Sequence, residues 1–231
     1  MTTFILIPGA CHGGWCFDDL AAALRAEGHR VLTPTLTGVA ERAHLAHTGV
    51  NLETHITDVI AEMQAQQVTH AVLAGHSYGG MVITAVADRI PEQVDSLVYL
   101  DAFVPRDGDS CWTLTTDEQR RWYAGVDATG YGLPPLPFFD NRATAHPLAS
   151  LMQPIRLGSA PPDIRRTFVY AQRWPTESPF TPTYERLRAD PAWTTHSLHG
   201  AHNLMRDNHS DLVRILLEAA RIPQPGRVDR G

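Results

Sequence analysis

A chain of 231 residues, 43% hydrophobic and 19% charged, has the apolar material for a sizeable core, which excludes disorder as its main state. Nineteen basic against 25 acidic residues leave a net charge of −6, too mild to indicate a nucleic-acid scaffold or a polybasic membrane binder. Every basic residue is arginine; without lysine the chain cannot form a Schiff base with a carbonyl substrate or pyridoxal phosphate, nor build a lysine-bearing phosphate loop or a kinase Lys–Glu pair.

The N-terminus has no positively charged lead, and its apolar run is too short for a signal peptide. No apolar stretch approaches the length of a membrane span. Cys11, Cys16 and Cys111 are odd in number and widely spaced, which fits free thiols better than a disulfide framework. The expectation is a cytoplasmic protein without nucleic-acid or membrane partners.

Phe4–Pro8 reads as a strand that turns at Gly9, and Phe17–Glu27 as a helix closed by Gly28. Arg30–Thr33 is a second short strand. Asn51 is placed to cap a helix whose apolar face is Ile56, Val59, Ile60 and Met63. Ala71–Ala74 is a buried strand, Gly79–Arg89 a buried helix stopped by Pro91, and Ser96–Leu100 a further strand. Thr167–Ala171, Thr194–Leu198 and a helix over Asp211–Ala220 complete the series. Such alternation predicts an α/β fold: a mostly parallel sheet of about six strands with helices on both faces. Between Arg106 and about Arg165 the β pattern is absent, and Trp112, Trp122, Tyr123, Tyr131, Phe138 and Phe139 surround a proline-rich piece. We therefore divide the chain into a core (1–105 and 166–222), an inserted helical lid (106–165) and a loose tail (223–231).

Gly75-His76-Ser77-Tyr78-Gly79 lies between an apolar strand and an apolar helix, the context a nucleophile elbow requires. The sharp turn pushes the Ser77 hydroxyl out above the sheet edge, beside a helix N-terminus that favours developing negative charge. A serine needs a base. His202 follows the last strand in a loop that opens on the same edge as Ser77. His196, His199 and His202 invite a metal reading, but residues three apart on a strand point to opposite faces, so no metal is expected. His44, His47 and His55 lie on a polar connection or an exposed helix face and are expected to be solvated. The acid is Asp101, at the end of its strand, or its rival Glu177; Asp101 is favoured, and both satisfy the chain order serine, acid, histidine. Asp190 is discounted because it falls in a helical segment pointing away. The glycine-rich Gly9–Gly14 loop lets backbone amides face the site, with Ala10 and Tyr78 the natural oxyanion pair. Cys11 beside His12 is not expected to work as a thiol dyad, since neighbours in an extended loop point apart.

These segments resemble the α/β-hydrolase superfamily, and within it the hydroxynitrile lyase and methyl esterase group with its bacterial carboxylesterases and pyrethroid hydrolases. The resemblance rests on Gly9–Trp15, Gly75–Met81, Tyr99–Pro105 and Gly200–Met205, and spans most of the chain outside the lid. It implies a serine carboxylesterase that needs no cofactor and acts on a small-molecule ester, apolar or aromatic, through an acyl-enzyme. Cys11, His12, Trp112, Trp122, Phe138 and Phe139 would line the substrate site. Related enzymes are often dimers, so a homodimer is among the assemblies implied. The chain departs from the group in three ways. Pro8 stands where the group usually has histidine. Plant members carry their acid after the penultimate strand, where no acid occurs here before Glu177. Asp101 instead resembles the acid of haloalkane dehalogenases, although those enzymes need an aspartate where Ser77 stands. The lyases use a lysine after the catalytic histidine and a threonine in the oxyanion loop; Asn203 and Ala10 occupy those places, which disfavours cyanohydrin cleavage. The alternatives are a same-fold lyase, lactonase, amidase or decarboxylase, or a non-catalytic small-molecule receptor.

Overall fold

The computed structural model of the chain describes residues 1–158 and 164–221. The expected tail at 223–231, residue 222 and residues 159–163 of the expected lid lie outside the described residues. In chain order the elements are β1 (Thr3–Ile7), α1 (Asp18–Ala26), β2 (Arg30–Leu32), α2 (Leu52–Ala65), β3 (Ala71–His76), α3 (Gly79–Arg89) and β4 (Val94–Leu100). Then come α4 (Cys111–Leu114), α5 (Asp117–Tyr123), β5 (Gly132–Leu133), β6 (His146–Pro147), α6 (Leu148–Met152) and β7 (Arg165–Ala171). The chain continues through α7 (Thr181–Leu187), β8 (Trp193–Leu198), α8 (Leu204–Asp207) and α9 (His209–Ala220).

Six parallel strands form one sheet in the order β2-β1-β3-β4-β7-β8. Strand side chains alternate between two apolar layers, as a period of two demands. Phe4, Leu6, Val72, Ala74, Val98 and Leu100 pack with α1 and α9. Ile5, Ile7, Leu73, Leu97 and Tyr99 pack on the other face with α2 and α3. Helix α2 starts where expected: Asn51 Oδ1 accepts from Thr54 N at 3.1 Å, and Thr54 Oγ1 accepts from Asn51 N at 3.3 Å, a reciprocal capping box. No helix among the described residues is long and apolar enough to cross a membrane.

The stretch between β4 and β7 corrects one expectation. It carries the short helices α4, α5 and α6, but also a two-residue antiparallel pair in which Gly132 faces Pro147 and Leu133 faces His146. Two residues per strand are too few to show as periodicity. Asp190 lies beyond α7, where its carboxylate accepts from Ala192 N at 2.9 Å in a turn rather than riding a helix.

Candidate active site

Ser77 sits between the end of β3 and the start of α3 with φ +52, a left-handed conformation that costs a non-glycine residue about 1–3 kcal/mol. Three backbone bonds hold it there. Ser77 N donates to Leu100 O (3.3 Å), and Ser77 O accepts from Gly80 N and Phe103 N (both 3.1 Å). The flanking glycines are required by close approach: a Cβ on Gly75 would lie 2.6 Å from the Gly79 carbonyl, and one on Gly79 would lie 2.5 Å from Ile7 O. Ser77 is half-buried within an otherwise buried run.

Asp101, the residue after β4, also has positive φ (+44) and is fully buried. A buried carboxylate is costly unless its lone pairs are filled. Oδ1 accepts from Ala171 N at 3.1 Å; Oδ2 accepts from Trp174 Nε1 at 2.8 Å and from His202 Nδ1 at 2.7 Å. Because the carboxylate only accepts, Nδ1 of His202 carries the hydrogen and Nε2 keeps a free lone pair. The last residue of β7 and Trp174 just beyond it each supply a donor to Asp101, while Glu177 is exposed and makes no hydrogen bond or ion pair to His202 among the described residues. Of the two candidate acids, Asp101 is the one that meets His202.

The His202 imidazole is held on several sides. Phe180 stacks on it (5.6 Å between centroids, 19° between planes), Trp174 lies at 4.6 Å and His76 at 4.5 Å. His76 precedes Ser77, and its Nε2 donates to the carbonyl of His202 at 2.9 Å, tying the histidine loop to the elbow. Burial and the facing His202 ring hold His76 well below the usual histidine range, so it stays neutral. Ser77 Oγ forms no hydrogen bond among the described residues; such contacts in resting sites often tighten only with substrate.

The loop after β1 approaches from the other side. Neither Ala10 N nor Tyr78 N donates a backbone hydrogen bond among the described residues. Cys11 adopts φ +69 and is fully buried; burial pushes its thiol up to about 12, so it is no thiolate at neutral pH. His12 turns back on the loop: its Nδ1 bonds the Ala10 carbonyl at 2.8 Å, and its ring meets Trp15 (5.3 Å) and Phe139 (4.9 Å). Trp122 and Phe138 pack on Phe139 at 5.9 and 5.2 Å, and Arg142 lies 4.0 Å over the Trp15 ring. The structure therefore groups His12, Trp122 and Phe139. Phe138 is 77% exposed at the rim of that group. Trp112 lies instead against the core and under Arg120, whose Nε donates to the Trp112 carbonyl at 2.9 Å.

His44, His47 and His199 are exposed, and His196 is half-buried on β8. Among the described residues no three His, Cys, Asp or Glu side chains form a group able to hold a metal. His55 departs from expectation. It is fully buried, with Nδ1 2.7 Å from the Tyr78 hydroxyl and Nε2 2.9 Å from Thr37 O. Sequence reasoning also missed Trp174, Phe180 and His146. A cavity of about 210 Å³, lined by Gly38, Ala46, Tyr131 and Pro147, opens beside His146 and does not include Ser77.

The sequence model of the alpha/beta hydrolase family matches residues 4–228. A carbendazim hydrolyzing esterase of Nocardioides sp. (strain SG-4G) is 38% identical over 239 residues, covering 94% of this chain and 98% of the relative. Among solved structures, an extracellular alpha/beta-hydrolase from a Paenibacillus species superposes with a TM-score of 0.80 at 22% identity, covering 96% of this chain and all of the other. The pyrethroid hydrolase PytH gives 0.72 at 22% identity, covering 95% and 97% of the two chains.

Proposed function

The chain belongs to the alpha/beta hydrolase family and is a hydrolase of esterase type, and from that premise we propose that it cleaves carboxylic esters through an acyl-enzyme on Ser77. The observation that carries this reading is the 2.7 Å contact between buried Asp101 and His202 Nδ1, beside a serine on a left-handed elbow. His202 Nε2 takes the proton as Ser77 Oγ attacks the ester carbonyl. The oxyanion forms against the Ala10 and Tyr78 amides, whose positions at a loop and at a helix N-terminus suit negative charge. As the intermediate collapses, the imidazolium returns its proton to the leaving alkoxide, and Asp101 stabilises the charged ring without becoming protonated. Water then attacks the acyl group with His202 again as base, releasing the acid and restoring Ser77.

The aromatic group of His12, Trp15, Trp122 and Phe139, next to Ala10, supports a small substrate with an aromatic portion. The name of the carbendazim-hydrolysing relative supports extending the class to carbamate esters of nitrogen heterocycles. Replacing Ser77 by Ala is expected to lower kcat on p-nitrophenyl esters and on carbendazim by about a millionfold. Turnover of either compound unchanged by that replacement would overturn the reading.

A further inference from the structure

Behind the two amides that receive the oxyanion lies a buried polar cluster with no direct part in the chemistry above. His55 and His146 are both fully buried, their rings edge-on with centroids 5.6 Å apart, and His146 meets the Tyr78 ring at 4.9 Å. The bonding partners fix both tautomers. Thr37 O can only accept, so His55 Nε2 donates to it and Nδ1 accepts from the Tyr78 hydroxyl. Cys11 N can only donate, at 3.2 Å, so His146 Nδ1 accepts from it. His146 Nε2 then donates to Ser150 Oγ (2.9 Å), which passes its own hydrogen to Pro147 O (2.8 Å). Every donor in this set has an acceptor, and both rings are neutral.

The peptide unit between Ala10 and Cys11 is consequently held at both poles. Its carbonyl accepts from His12 Nδ1 at 2.8 Å, and its N–H donates to His146 Nδ1. The adjoining Cys11 carbonyl accepts from Thr144 N at 3.1 Å, so the stretch that carries His146 grips the strained residue from two sides. That unit adjoins the Gly9–Ala10 peptide, which bears the Ala10 N–H and whose own carbonyl accepts from His12 N at 3.4 Å, so holding it restrains the Ala10 amide across one Cα. On the other side, His55 holds the hydroxyl of Tyr78, the residue that supplies the second amide. We infer that His146 and His55 are positioning residues of the oxyanion hole, one for each donor. The inference rests on the serine-esterase reading above.

Asparagine and glutamine at position 146 separate this role from packing. In His146→Asn the amide oxygen sits one bond from Cγ, as Nδ1 does, and can still accept from Cys11 N; in His146→Gln the amide lies one carbon further out and serves Ser150 instead. An aryl trifluoromethyl ketone, which forms a hemiketal oxyanion on Ser77, reports the hole directly. The Gln variant is expected to lose kcat on p-nitrophenyl acetate toward about a hundredfold, with KM within about twofold, as a displaced donor would give. Its affinity for the ketone should fall in proportion, while the Asn variant stays within about threefold of the parent on both readouts. Equal activity of the two variants, or a loss confined to KM with unchanged ketone affinity, would overturn the inference. If neither variant accumulates as folded protein, Tyr78→Phe carries the test: it removes only the hydroxyl, so a kcat-selective loss supports the role of His55 and unchanged kinetics refutes it. A parent protein inert toward both ester and ketone would instead refute the serine-esterase reading itself.

Discussion

Asp101→Asn separates geometry from charge within one buried cluster. The carboxylate receives three donors: Ala171 N on Oδ1, with Trp174 Nε1 and His202 Nδ1 on Oδ2. An amide has one oxygen to offer. If that oxygen faces Ala171, the amide NH₂ confronts the indole N–H and the imidazole, and His202 must move its hydrogen to Nε2 and can no longer accept from Ser77. If the amide is flipped, its NH₂ meets the Ala171 N–H and one buried donor is left unpaired. Either orientation costs stability by about 1–3 kcal/mol for the unsatisfied group. The first also removes the base, and the corresponding loss in a serine triad is about ten-thousandfold in kcat. The assay is p-nitrophenyl acetate hydrolysis beside a urea unfolding curve, with Glu177→Gln as the comparison. Glu177 is exposed, so its replacement should leave both measurements at the parental value. An Asn variant with parental activity, or a collapse in the Gln variant, would refute the assignment of the acid.

Trp174→Phe keeps the ring against His202 but removes the indole donor to Asp101, and should lower kcat by about tenfold with KM unchanged, as loss of one charge-assisted bond predicts; steady-state kinetics decide it, and a change in KM alone would contradict it. Acid should destabilise the fold. Burial holds His55 down at about 4, with the Thr37 carbonyl and Asp58 opposing the shift, and holds His146 well below the usual range. The unfolded imidazole takes its proton near 6.5, so between that pH and about 4 the unfolded state binds more protons, and stability falls as pH drops. His55 alone accounts for about 2 kcal/mol of that fall between pH 7.5 and pH 5, readable as the shift in urea midpoint between those two pH values; an unchanged midpoint would show that the folded protein takes up these protons as readily as the unfolded chain.

The parts legible in the sequence were those with a strong local pattern. Ser77 lay between a strand and a helix that the apolar runs announced, and Asp101 and His202 followed strands whose parallel order put their ends on one edge. Glu177 stayed a rival because sequence could not show that the segment after β7 delivers an indole donor, Trp174, where an acid was the alternative. His55 was readable in principle: it lies three residues after Leu52 and four before Val59, on the buried face of α2, but its polarity argued for solvent. His146 gave no local signal. Its burial depends on a two-residue strand pair and on Cys11, 135 positions earlier in the chain, contacts no periodicity encodes.

The most direct test of the central claim is intact-protein and peptide mass spectrometry after treatment with a fluorophosphonate. The account predicts one phosphonyl group per chain, carried by the peptide containing Ser77, in parallel with loss of esterase activity and absent from Ser77→Ala. Full inactivation with the label on another residue, or esterase activity that survives complete modification of Ser77, would contradict it.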